Sequence, residues 1–277
     1  MKKIHLLPNA ITAFGLSCGL FVIFRLTMLE AGEVSYQVLL ASAGILLLAA
    51  LADLFDGAVA RLMKAQSEFG GIFDSLSDAI TFGVAPTVMT LKSLQPTSAE
   101  LSYLVTMGAM VFAICGVLRL ARYSSTPLTS YLVSVEEEGA QKNFTGLPIP
   151  AACMAAISAN LLFISPEFRW FIPLKDSWRA TIMSLLFLLL GYFMISRWRF
   201  PSLKSLQVRV ASFQLVFLTV LTVVLVFYGL LHHFAVIFAL ISWTYLITAW
   251  SLSLVRLMGG RHRHILIDYE PEEFPEE

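Results

Sequence analysis

The residues best suited to chemistry fall in one stretch, Asp53 to Asp78, reading DLFDGAVARLMKAQSEFGGIFDSLSD. Four carboxylates, Asp53, Asp56, Asp74 and Asp78, stand there in largely apolar surroundings. The first pair is spaced i,i+3 and the second i,i+4, so on helices each pair shares one face. The linker from Leu62 to Phe69 is short and polar enough to turn the chain back. Two facing helices are therefore expected, with four acids aimed into one space. Like charges beside lipid repel one another and lose hydration, and intramembrane acids are costly and usually functional. A bound divalent cation relieves this most simply, and an oxygen-only donor set suits a hard ion such as Mg2+ or Mn2+. The plainer reading, acids that solvate water-exposed helix ends, fits a single Asp better than four at this spacing.

Small residues accompany the acids. Gly57 and Ala60 follow the first pair at helical spacing and leave a shallow dent where a ligand could approach the backbone; ordinary small-residue packing between membrane helices uses the same pattern. Arg61, one turn after Gly57, could meet a phosphate or anchor the helix end in the cytosol.

The elements that carry these residues must be membrane helices. The chain has 277 residues, 57% of them apolar and only 14% charged, which is too greasy for a soluble domain and fits a polytopic membrane protein. Net charge is zero, so composition gives no argument for nucleic acid as a partner. Cys18, Cys115 and Cys153 all lie in apolar runs without metal spacing, and no structural disulfide is expected. The Met-Lys-Lys start precedes an apolar run long enough to span and lacking a small-residue cleavage site, so a retained first helix is expected.

At about 20 residues per span, eight spans are expected: 8–29, 37–63, 70–92, 100–122, 147–165, 178–196, 210–230 and 234–256. The fold class is an all-α polytopic bundle. Residues 1–260 form one membrane domain, with a core at about 5–200 and an extra helix pair at 210–256. Residues 261–277 form a cytosolic tail expected to be disordered. With eight spans, Lys2, Lys3, Arg61, Lys64, Arg119, Arg122, Lys142, Arg197, Arg199, Lys204, Arg209, Arg256, Arg261 and Arg263 gather on one side, and Arg25, Lys92, Arg169, Lys175 and Arg179 on the other. The positive-inside rule then makes both termini and the acid cluster cytosolic. His232-His233 reads as a turn at the far interface rather than a metal site, because it is the only polar break between Val210 and Leu257. The polar loop Ser124 to Gly146, with Glu136-Glu137-Glu138, reads as solvated. Pro148 and Pro150 stiffen the start of the fifth span.

Asp53, Asp56-Gly57, Ala60-Arg61, Gly70, Asp74 and Asp78 fit the pattern D-x2-D-G-x2-A-R-x8-G-x3-D-x3-D, which resembles the signature of the CDP-alcohol phosphatidyltransferases. Gln66 to Pro86, LPNAITAFGLSCGLF near the start, LRLARY at 118–123 and FTGLPIPAA at 144–152 resemble its bacterial serine-using branch. The resemblance spans roughly residues 5 to 200. It implies a membrane enzyme, a homodimer in the cell's inner membrane, moving the phosphatidyl group of CDP-diacylglycerol to L-serine with two divalent ions. It further implies Asp53, Asp56, Asp74 and Asp78 as metal ligands, with Asp78 also the general base. Gly57 and Ala60 would pack the cytidine, and Arg61 and Ser67 would hold phosphate. Asn9 and Thr12, at the proline-initiated start of the first helix, would either line the nucleotide site or serve as a plain helix start. Arg119 and Arg122 would either snorkel to headgroups or offset the substrates' carboxylate and phosphates. Two other readings stay open from the residues alone: another alcohol on the same scaffold (glycerol 3-phosphate, inositol phosphate or choline), and a divalent-cation channel or carrier.

Overall fold

A computed structural model describes residues 6–30, 34–63, 67–94, 98–124, 144–196, 199–200, 229 and 232–263. The order is α1 (Leu6–Thr27), α2 (Tyr36–Leu62), α3 (Glu68–Asp78), a π-helical turn (Ala79–Val84), α4 (Ala85–Ser93), α5 (Ala99–Ser124), β1 (Phe144–Thr145), α6 (Ile149–Ile164), α7 (Pro166–Phe171), α8 (Asp176–Ile195), β2 (Arg199–Phe200) and α9 (Phe234–Arg263). The chain is a polytopic helical membrane protein. Five helices are long and apolar enough to cross a bilayer: Leu6–Thr27, Tyr36–Ala60, Ala99–Arg122, Asp176–Ile195 and Phe234–Ser251. The shorter Ile149–Ile164 is also apolar, and the expected third span is helical from Glu68 to Ser93 in three consecutive segments. The seventh expected span falls outside the described residues but for Gly229, so the count of eight is not confirmed. The loop at 125–143 and the tail after Arg263 also lie outside them.

Two helix pairs frame the bundle. α1 runs along α2, and α5 along α8, with α6 packed against α8 and α9. The core is apolar and aromatic: Phe112 of α5 meets Phe187 of α8 at 5.1 Å between ring centres, and Phe193 stacks on Trp250 at 4.5 Å. The three cysteines are unpaired, as expected.

Polar contacts define the two ends. At one, Lys92 Nζ donates to the carbonyls of Thr27 and Leu29, tying the end of α4 to the end of α1. Arg179 donates to the Ser93 carbonyl and pairs with Asp176 at 3.2 Å, and Asp176 also meets Arg169 at 3.9 Å. His233 Nδ1 lies 3.3 Å from Glu167 Oε1, which places His233 at this same end; the turn expected at the histidine pair lies largely outside the described residues. Trp170, Phe171 and Trp178 are exposed at this end, as in an interfacial aromatic belt. At the other end Arg122 donates to the Ile195 carbonyl and Leu147 N–H to the Phe193 carbonyl. Gly146, at φ +81°, fits there because a Cβ would stand 2.6 Å from the Met194 carbonyl oxygen. The antiparallel pair β1–β2 (Phe144 opposite Phe200) closes the same end.

Candidate metal centre and its cleft

The acid pairs lie where their helices meet. Asp53 and Asp56 stand in the last third of α2, and Asp74 and Asp78 close α3. α2 ends at Leu62 and α3 begins at Glu68, so the expected turn-back occurs. Ser67 starts α3 by accepting from the Gly70 N–H at 3.0 Å, an N-cap that satisfies a helix-end donor.

One carboxylate oxygen from each of Asp53, Asp56 and Asp74 lies within 4.8 Å of the others. With Asp78 they line one small cleft of about 190 Å3 of open space, shared with Thr12, Gly15, Ala49, Ser77, Thr81 and Phe82. Asp78 interacts electrostatically with the other three acids and with Arg119. Asp56 is buried, and its Oδ2 accepts a 2.6 Å hydrogen bond from the Thr12 hydroxyl. Asp74 Oδ1 is buried with no hydrogen-bond partner among the described residues. A buried carboxylate oxygen left without a donor costs free energy, and a bound cation would satisfy it. All the donors are hard oxygens, so the set fits a divalent ion of the Mg2+ or Mn2+ kind.

The other expected site residues are spread more widely. Thr12 is in the cleft. Asn9 and Ser67 converge on Gly70, where an added Cβ would lie 3.2 Å from Asn9 Oδ1 and 3.0 Å from Ser67 Oγ. The signature glycine thus leaves room for the start of α1 to pack on the start of α3. Gly57 and Ala60 are half-buried on α2 next to the acids but do not line the cleft. Arg61 lies in the last turn of α2. Arg119 is half-buried on α5, within electrostatic reach of Asp78. Arg122 is exposed and caps α8 through Ile195.

Two features of the cleft escaped sequence reasoning. The π turn directly after Asp78 leaves no pattern in a run of apolar residues, although such turns often mark functional sites. Ser77 and Thr81, which line the cleft, lie in the same run. The i+3 spacing of Thr81 from Asp78 was the available signal.

The CDP-alcohol phosphatidyltransferase family model matches residues 5–193. Among curated relatives, the CDP-diacylglycerol–serine O-phosphatidyltransferase of Helicobacter pylori (strain ATCC 700392 / 26695) is 31% identical over 253 residues, covering 89% of this chain and 94% of the relative. The protein of that name from Methanocaldococcus jannaschii is 33% identical over 175 residues, covering 63% of this chain and 71% of the relative. The one from Bacillus subtilis (strain 168) is 28% identical over 199 residues, covering 72% and 92%.

Proposed function

The chain belongs to the CDP-alcohol phosphatidyltransferase family, and on that premise we propose that it transfers the phosphatidyl group of CDP-diacylglycerol to the hydroxyl of L-serine, giving phosphatidylserine and CMP. The observation that carries this reading is the convergence of Asp53, Asp56 and Asp74 to within 4.8 Å in a cleft that Asp78 shares. The names of the relatives, each a CDP-diacylglycerol–serine O-phosphatidyltransferase, support the choice of serine. Family membership favours phosphatidyl transfer over ion conduction.

Asp53, Asp56, Asp74 and Asp78 would together hold two divalent ions, Mg2+ or Mn2+. When bound, the ions supply Lewis-acid stabilisation of charge on the diphosphate oxygens. Asp78 takes the proton of the serine hydroxyl as that oxygen bonds to the lipid-bearing phosphorus. The bond from this phosphorus to the bridging oxygen breaks, and CMP leaves with the bridging oxygen. A carboxylate is a weak base for an alcohol, so proton transfer accompanies P–O bond formation. Thr12 fixes Asp56 through its 2.6 Å hydrogen bond. Asn9 serves the nucleotide half, Gly57 and Ala60 pack the cytidine, and Arg61 and Ser67 hold phosphate. Arg119 offers a cation to the substrates beside Asp78, while Arg122 supports that region through α8. Exposed Leu54, Phe55, Phe69, Ile72 and Leu76 on the outer faces of α2 and α3 give acyl chains sideways access from the bilayer. Residues 1–260 act as one catalytic domain, as a homodimer in the inner membrane, with the acid end and both termini cytosolic.

Purified protein given CDP-diacylglycerol, Mn2+ or Mg2+ and labelled serine should form labelled phosphatidylserine. EDTA should abolish the reaction, and Asp78→Asn should lower kcat by about 10²–10⁴-fold. Preferred use of glycerol 3-phosphate, inositol phosphate or choline would replace serine as the acceptor. Metal uptake into liposomes without any lipid product would remove the transferase reading.

A further inference from the structure

Three hydroxyls line the acid cleft, on Thr12, Ser77 and Thr81. Two are engaged. Thr12 donates to Asp56, and Ser77 Oγ reaches the Thr12 carbonyl at 3.5 Å. The Thr81 hydroxyl has no partner among the described residues, although the residue is only 1% exposed. Buried polar groups are normally satisfied, and each exception calls for an explanation.

Elsewhere in this chain helical threonines bond back to a carbonyl three or four residues earlier. Thr27, Thr87, Thr90, Thr106 and Thr181 all do so. Thr81 is different: it stands in the π turn Ala79–Val84, where the backbone follows i→i+5 bonding, and its hydroxyl makes no such bond. α1 also holds the side chain in place. A Cβ on Gly19 would lie 2.5 Å from Thr81 Oγ1 and 2.9 Å from its Cα, so only glycine lets α1 come this close.

We propose that Thr81 is a specificity-determining residue whose hydroxyl donates a hydrogen bond to the carboxylate of the amino-acid acceptor. This rests on serine being the acceptor. The cleft that would receive the acceptor is lined by four acids. The acceptor's carboxylate faces those same acids and needs a donor that brings no negative charge. Thr12 and Ser77 already have acceptors, which leaves Thr81 as the cleft hydroxyl without one among the described residues. Arg119, within electrostatic reach of Asp78, adds long-range attraction, while the hydroxyl adds direction.

The test compares wild type, Thr81→Val and Thr81→Ser, each with Mn2+ and CDP-diacylglycerol, using serine and ethanolamine as acceptors. Ethanolamine keeps the ammonium and hydroxyl but lacks the carboxylate. Thr81→Val preserves shape and should raise KM for serine roughly tenfold to hundredfold, as for a lost hydrogen bond to a charged group. KM for CDP-diacylglycerol should move less than about twofold, and any ethanolamine turnover should be unchanged. Thr81→Ser should restore the serine KM. An unchanged serine KM in Thr81→Val, or a parallel loss with both acceptors, overturns the assignment while leaving the transferase reading intact. A wild type that does not use serine overturns both. If Thr81→Val fails to fold in detergent, the Thr81→Ser variant and serine protection of wild type against thermal unfolding, relative to ethanolamine, decide the point: equal protection by the two acceptors overturns it.

Discussion

The two ends of this bundle treat charge in opposite ways. At the end holding Lys92, Arg169 and Arg179, cations meet carbonyls or Asp176, and helix ends are capped through Ser93, Thr27 and Leu29. Ser93 further bonds Asn160 at 2.9 Å. At the other end four acids share one cleft, and Asp74 Oδ1 has no donor among the described residues. The first end pairs opposite charges, although Arg179 Nε and Glu167 Oε2 are left without a hydrogen bond among the described residues, and serves architecture; the second crowds like charges. The second is organised for something that arrives from outside.

This contrast can be broken by substitution. Its strongest form concerns Asp74→Asn. In EDTA the variant should melt no lower than wild type, because a repelling charge is gone. Saturating Mn2+ should then stabilise wild type by about 2.7 kcal/mol at a hundredfold excess over Kd and the variant by far less. A variant that melts well below wild type in EDTA would make the acids architectural after all. Thr12→Val sharpens the same point one step out. Removing the donor to Asp56 should weaken Mn2+ binding about 10–100-fold, read by calorimetry or paramagnetic resonance, with little change in melting without metal. The smallest effect belongs to the opposite end. Asp176→Asn should lower stability by about 1 kcal/mol, since Asp176 is 43% exposed and only Arg179 is buried. It should leave Mn2+ affinity unchanged. Altered Mn2+ binding in this variant would couple the two ends and erase the distinction.

Much of the acid end was legible because its information is local. Asp53/Asp56 and Asp74/Asp78 each share a helix face by spacing alone, and the break between Leu62 and Glu68 is short enough to bring the faces together. Helix bounds were also close: 37–63 was expected and Tyr36–Leu62 is found, and 178–196 became Asp176–Ile195. Apolar length fixes these spans whatever packs on them. What stayed hidden depends on neighbours distant in sequence. The Thr12–Asp56 bond joins residues 44 apart, and the small size of Gly19 makes sense only once Thr81 lies against it. The π turn Ala79–Val84 differs from an α-helix by a shift in bonding partner that side-chain types do not announce. Arg119 and Arg122 looked equivalent at i,i+3. The fold separates them by giving one to Asp78 and the other to the end of α8.

Every side chain lining the cleft comes from between Thr12 and Phe82. During synthesis, then, the complete acid-bearing hairpin has left the ribosome before α5 exists, because chains emerge from the N-terminus first. Its quartet of anions must wait in the nascent bundle until α5, bearing Arg119, docks against it. Binding of an ion at that stage would serve assembly as well as turnover, so cells starved of divalent metal should accumulate less of the inserted protein and not merely a slower one.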